Sequence, residues 1–241
     1  MTDTRERILD TALALFNERG ERNVTTNHIA GELGISPGNL YYHFRNKADI
    51  VFELFKRYEA RVVEFLSVPG DRDLTWWDKM GYFEAILQNM WEARFFHRDP
   101  GHLLDQDDAL RERYANFVRL SLDRAMEVYR GLQRAGLLEA TEEEIRALLV
   151  NTWVLAASWT GFVHSLLPAG ERQAALDRSL LEQGIYQLIC LEAPYLRGEA
   201  LEHLEQMKER YRQAPDTLTL LFSRSTPPDT AGSAAPARSG G

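Results

Sequence analysis

The sequence predicts an all-α protein. Apolar residues recur three and four apart along most of the chain, Ser, Thr, Asp and Asn stand where helix caps are needed, and alternating apolar–polar runs are nearly absent. A chain of 241 residues, 44% hydrophobic and 27% charged, has enough apolar matter for a core. Its length suits a small domain followed by a larger one.

The first helix is predicted over 3–19, with Ile8, Ala12, Leu15 and Phe16 on one face and Gly20 as its stop. Thr25 and Thr26 can cap a short second helix carrying Ile29, Ala30 and Leu33, which stops at Gly34. Ser36-Pro37 reads as an N-cap followed by proline at the first helical position, where a missing N–H costs nothing. That third helix runs to about Phe44. A fourth, from Asn46-Lys47 to about Leu66, sets Ile50, Leu54, Tyr58 and Val62 four apart. Val68-Pro69-Gly70-Asp71 then interrupts the pattern and marks a boundary.

Beyond it, Thr75 with Asp78 makes a capping box for a helix to about Phe96, which Asp99-Pro100-Gly101 is expected to end. A long amphipathic helix follows over about 109–134, with Tyr114, Phe117, Val118, Leu122 and Met126, closed by Gly136. Thr141 with Glu144 opens a strongly apolar helix to about Leu166. Pro168-Ala169-Gly170 separates it from a helix over 173–192, stopped by Pro194, and a last helix is predicted over 198–212. This makes about nine or ten helices. The Ser-, Thr-, Pro-, Ala- and Gly-rich sequence from Ser223 predicts a disordered tail, and 217–222 is assigned no element. The expected division is 1–66, 67–213 and a tail over 214–241.

No apolar run approaches the roughly 18 residues a membrane-spanning helix needs, and the polar start shows no signal-peptide pattern. The single cysteine, Cys190, excludes an intramolecular disulfide or a multi-cysteine zinc site, and a reducing cytoplasm is the expected location. The net charge of −8 is unevenly spread. Residues 1–62 balance 9 Lys/Arg against 9 Asp/Glu, and 22–47 carries Arg22, Arg45 and Lys47 against Glu32 alone. A local positive footprint is all that a polyanion contact requires.

Two short helices joined by Gly34-Ile35-Ser36 have the size and turn of a helix-turn-helix, whose second helix enters the DNA major groove. Its reading surface would be Pro37, Gly38, Asn39, Tyr41, Tyr42 and His43. Asn39 can pair bidentately with adenine, and Gly38 lets the backbone come close. Thr26, at a helix N-terminus, suits a phosphate, and Lys47 can clamp a flanking one. Taken alone, the pattern serves core packing equally well, because Leu40 and Phe44 lie four apart on an apolar face.

Residues 5–55 resemble the DNA-binding domain of the TetR family. The resemblance rests on Arg7-Ile8-Leu9, Ala12-x-x-Leu15-Phe16 and Gly20, then Val24-Thr25-Thr26-x-x-Ile29-Ala30-x-x-Leu33-Gly34-Ile35-Ser36. It ends in Gly38-x-Leu40-Tyr41-Tyr42-His43-Phe44-x-Asn46-Lys47, in one register without a gap. It implies a homodimer that binds a roughly palindromic operator, usually as a repressor. It places DNA contacts on Thr26, Asn27, Pro37, Gly38, Asn39, Tyr41, Tyr42, His43 and Lys47, with Asn27 a further base-edge candidate. The module's core would be Ile8, Phe16, Ile29, Leu33, Leu40, Phe44 and Leu54.

After residue 66 the resemblance implies a helical effector-binding and dimerisation domain. Trp91, Phe95, Phe117, Trp153 and Trp159 are the expected pocket for an apolar or aromatic effector, although each also suits simple bundle packing. By the same resemblance, helices 142–166 and 173–192 would pair across a dimer. Ala156, Ala157 and Gly161 would allow close approach, and Leu176, Leu180, Ile185 and Leu188 would supply an apolar stripe. An intramolecular seam would use the same residues.

His97-Arg98-Asp99 lacks the downstream asparagine and glycine-rich loop of a kinase catalytic segment. His97, Asp99, His102, Asp105, Asp107 and Asp108 read as a solvated acidic turn rather than a metal site, and Cys190 as a small core residue. No catalytic set, metal or cofactor is therefore expected. The remaining expectation is a ligand-responsive regulator with DNA, a second copy of itself and a small molecule as partners.

Overall fold

A computed structural model describes residues 3–166 and 178–212, folded among these into twelve α-helices and two 3₁₀ turns. The N-terminal helices begin and end on the expected signals. In α1 (Thr4–Arg19) Asp3 accepts from the Arg5 N–H, and Gly20 ends the helix at φ +81°. Thr25, not Thr26, caps α2 (Thr26–Leu33): its hydroxyl accepts from the His28 N–H at 3.2 Å, and His28 Nδ1 accepts from the Thr25 N–H at 3.3 Å. Histidine thus fills the place usually held by Glu or Gln in a capping box. Gly34, left-handed at φ +66°, turns the chain into α3 (Pro37–His43), capped by Ser36. Asn46 caps α4 (Lys47–Phe65).

The next expected helix is interrupted. α5 (Trp76–Glu92) ends at Ala93, and α6 (Arg94–Arg98) sets off anew. Buried Asn17 of α1 explains the break: it donates to the Glu92 carbonyl at 2.8 Å and accepts from the Phe95 N–H at 3.0 Å. One side chain thereby supplies partners that an unbroken helix would supply itself. Asp99-Pro100 does not terminate the helical region but opens α7 (Pro100–Asp105), Asp99 accepting from the His102 N–H with proline at the first position. Capping overrides the stop reading because both signals use the same residues.

Asp107 caps α8 (Asp108–Arg134), and Gly136 adopts φ +71° beyond its end. α9 (Glu142–Leu166) and α10 (Arg178–Glu192) follow, while 167–177, with Leu176 and the first part of the helix expected over 173–192, lies outside the described residues. The last expected helix is broken at His203 into α11 (Gly198–Glu202) and α12 (Leu204–Tyr211), and the His203 ring stacks on Trp76 at 5.5 Å. The 214–241 tail also lies outside the described residues.

Two large apolar clusters form the interior. One joins α5, α8 and α9 to α10, α11 and α12. The other buries Ile8, Phe16, Ile29, Leu40, Phe44 and Leu54 of the N-terminal helices, with Leu33 half-buried at its edge. It does not stop at residue 66. Phe55 of α4 stacks on Phe96 of α6 at 5.0 Å and meets Phe117 of α8 edge-on at 5.5 Å. The Val68–Gly70 break in the chain is therefore not a break in the core.

The α10 stripe is intramolecular. Leu180, Ile185 and Leu188 are all buried within the protomer, and Trp159 of α9 donates its indole N–H to the Leu180 carbonyl at 2.7 Å. Gly184 makes this approach possible, since a Cβ there would stand 2.9 Å from the Trp159 ring. The exposed apolar face belongs to α9 instead: Val150, Val154, Phe162 and Leu166, at helical spacing.

Candidate functional site

The tip of α3 carries aromatic surface into solvent. Tyr42 is 85% exposed, with its ring edge-to-face against His43 at 5.2 Å. Tyr41, also exposed, shares a hydrogen bond of 3.0 Å with Thr26 Oγ1, joining the start of α2 to the middle of α3. Asn27, Pro37, Gly38 and Asn39 are exposed as well, while Thr26 and His43 are half-buried. Among the described residues nothing crowds Gly38, where a Cβ would meet only Ser36 Oγ at 3.9 Å. A requirement for glycine there would have to come from a partner pressed against the helix.

Lys47 sits differently from a free clamp. It is half-buried, its ammonium donating to the Glu21 carbonyl at 3.0 Å and pairing with the Glu21 carboxylate at 2.7 Å. The other Glu21 oxygen lies 3.8 Å from His102 Nε2 of α7. The cation that would meet DNA is thus positioned by a buried carboxylate.

Above this module, α4 to α9 enclose a cavity of about 120 Å³. Tyr58, Phe96, Tyr114, Phe117 and Trp153 provide aromatic walls, Phe117 and Trp153 meeting at 5.6 Å. Of the five residues expected to form a pocket, only these last two line it. Phe95 packs against Phe16 at 5.5 Å, Trp91 lies under the Arg94 guanidinium at 4.3 Å, and Trp159 is committed to α10. Four polar side chains, Asn89, His97, Ser121 and Thr152, interrupt the apolar wall, and among the described residues no Asp, Glu, Lys or Arg lines it. Sequence periodicity contained the hint for two of them: Ser121 falls between Phe117 and Ala125, and Asn89 between Ile86 and Met90, each on an apolar stripe.

α6 links cavity and DNA module. Phe96 and His97 face the cavity, Phe95 N–H is held by Asn17 of α1, and the His97 carbonyl accepts from Thr160 Oγ1 of α9 at 3.0 Å. Burial holds His97 neutral by pushing its pKa down to about 4. Below pH 6.5 an unfolded chain takes up a proton that the folded one refuses until about pH 4, so stability is full above 6.5 and lost as pH falls through that window. Urea melts at pH 7 and 4.5 should differ by about 2 kcal/mol more for the native chain than for His97→Gln. Equal pH dependence in both proteins would exclude His97 as the source.

The 97–108 turn is used for capping and pairing: Asp99 and Asp107 cap helices, and Asp105 pairs with Arg111 at 3.0 Å. Among the described residues no group of three His, Cys, Asp or Glu side chains is arranged to hold a metal. Cys190 is partly buried. Among the same residues no helix is long and apolar enough to cross a membrane.

Residues 8–54 match the family described as bacterial regulatory proteins, tetR family, and residues 57–204 match TetR, bacterial transcriptional repressor. The chain belongs to the TetR family. A TetR-family transcriptional regulator from Marinobacter aquaeolei VT8 is 41% identical, with a TM-score of 0.78 over 88% of this chain and 100% of that one. An HTH-type transcriptional regulator of Staphylococcus aureus is 46% identical over 70 residues, which is 29% of this chain and 38% of that protein. SmeT, the repressor of the Stenotrophomonas maltophilia multidrug efflux pump SmeDEF, shares the fold at 21% identity, with a TM-score of 0.55 over 83% of this chain and 93% of its own. The protein is therefore a TetR-family transcriptional regulator, all-α, with an N-terminal helix-turn-helix and a larger helical C-terminal part.

Proposed function

We propose that this TetR-family regulator is a cytoplasmic repressor that binds a palindromic operator as a homodimer and is released by a small apolar or aromatic effector. Residues 1–66 act as the DNA-binding unit and 67–213 as the effector and dimer unit, with α4 of the first lending Tyr58 to the cavity wall, and the protein has no catalytic role. The observation that carries the reading is α6, which contributes Phe96 and His97 to the cavity wall while Asn17 ties its first turn to α1. A ligand that displaces this wall moves the helix on which the DNA module rests. Thr26, Asn27, Pro37, Gly38, Asn39, Tyr41, Tyr42, His43 and Lys47 form the DNA surface in this reading, Asn27 and Asn39 reading base edges and Lys47 a phosphate. The exposed α9 face at Val150, Val154, Phe162 and Leu166 is the surface offered to a second copy.

Binding to fragments of the gene's own upstream region, at low salt, tests this. Lys47→Ala is expected to weaken all sequences about equally, whereas Asn39→Ala should relax preference at one base pair by about 1–3 kcal/mol. Val154→Asp should sediment as a protomer and lose most operator affinity, because one recognition helix reads too few bases. No retarded fragment, or equal losses on specific and random DNA for Asn39→Ala, would overturn the assignment.

A further inference from the structure

The cavity's polar atoms are unusual in what they lack. Among the described residues, both amide atoms of Asn89, Nε2 of His97 and Oγ of Ser121 are buried without a hydrogen-bond partner, and all three residues line the same cavity. Asn89 is 6% exposed and Ser121 2%. They come from three helices, α5, α6 and α8, and line one largely apolar cavity. Buried polar groups are normally paired, and leaving several unpaired in one place works against the folded state. Such a cluster is expected where a binding partner, rather than the fold, completes the hydrogen bonds.

The walls also restrict the charge of that partner. With no ionised side chain among the described residues lining the space, an ammonium or carboxylate would be stripped of water without compensation. Aromatic faces could attract a cation. Here, however, two of the wall rings are already in contact with other rings: Phe96 stacks on Phe55 at 5.0 Å and on Tyr58 at 6.3 Å, and Phe117 makes T-shaped contacts with Phe55, Tyr58 and Trp153. A volume of about 120 Å³ is close to that of apolar cavities that take one benzene-sized ring, about 150 Å³.

We infer that the cavity selects an uncharged, mainly apolar molecule bearing a group that both donates and accepts hydrogen bonds, read by Asn89, Ser121 and His97. This inference rests on the effector reading above and names the ligand class for it.

Four probes of similar size separate the possibilities: benzamide, ethylbenzene, benzoate and phenyltrimethylammonium, titrated calorimetrically into the full-length protein. Benzamide is expected to bind about tenfold tighter than ethylbenzene, and the two ions at least about tenfold weaker than benzamide. Asn89→Leu should raise the unfolding midpoint of the ligand-free protein and erase the preference for benzamide over ethylbenzene. A merely structural asparagine would instead lower that midpoint when replaced. Ser121→Ala should reduce the preference in the same direction, and serves if Asn89→Leu does not fold. An ion binding as tightly as benzamide, a preference surviving both substitutions, or no binding by any probe would overturn the inference. Release of operator DNA is read separately: benzamide binding without release would sink the repressor reading and leave the ligand class standing.

Discussion

Replacing Lys79 by Met is expected to lower the unfolding free energy by about 3–5 kcal/mol and the melting temperature by roughly 10 °C. Lys79 of α5 and Glu192 of α10 pair in the interior with side chains 4% exposed each, and Tyr129 of α8 donates its hydroxyl to the same carboxylate. Burial and the neighbouring Glu192 push the Tyr129 pKa well up, so the phenol remains a donor across the physiological range. The Lys79 ammonium also lies 4.7 Å from the centre of the Phe83 ring. Methionine fills the stem's volume but leaves the buried Glu192 carboxyl without its counter-ion, held by one neutral hydroxyl. The Lys79→Met, Glu192→Met double variant should recover most of the loss, since the penalty belongs to the orphaned charge rather than to the pair. Urea unfolding of the two variants checks this, and equal destabilisation would show that shape, not charge, dominates.

Phe55→Ala is expected to cost about 3–5 kcal/mol, and Phe55→Leu far less. The ring is 1% exposed and touches Tyr58, Phe96, Tyr114 and Phe117, so it lies between the DNA module and the residues that wall the cavity. Truncation opens the cavity floor towards α4 and removes the side chain on which α6 rests. The second expected effect is functional. At temperatures where the variant stays folded it should bind operator fragments, while ligand binding should release them less completely. Operator binding with and without benzamide measures this coupling. Unchanged release in Phe55→Ala would mean that the signal does not pass through the α4–α6 contact.

Most of the N-terminal module was legible from residue order, because its signals are local. A cap, a glycine with positive φ or a proline at the first turn acts within four residues, as at Ser36-Pro37 and Gly34. Misreadings came where distant side chains intervened. The helix expected to reach Phe96 breaks at Ala93 because Asn17, on another helix, satisfies the backbone there. Trp153 and Trp159, six apart on one helix, have different roles because one meets Phe117 and the other meets α10 across Gly184.

Residue order alone specifies an all-α chain, the helix-turn-helix and the resemblance carried from Arg7 to Lys47, since periodicity and capping are short-range. Packing in three dimensions settles which aromatics enclose the cavity, that the apolar stripe of α10 is internal while α9 keeps an exposed one, and that Asn89, His97 and Ser121 line one cavity. Those facts depend on which helix faces which. That is settled by packing among side chains far apart in the chain, for which a linear pattern carries no address.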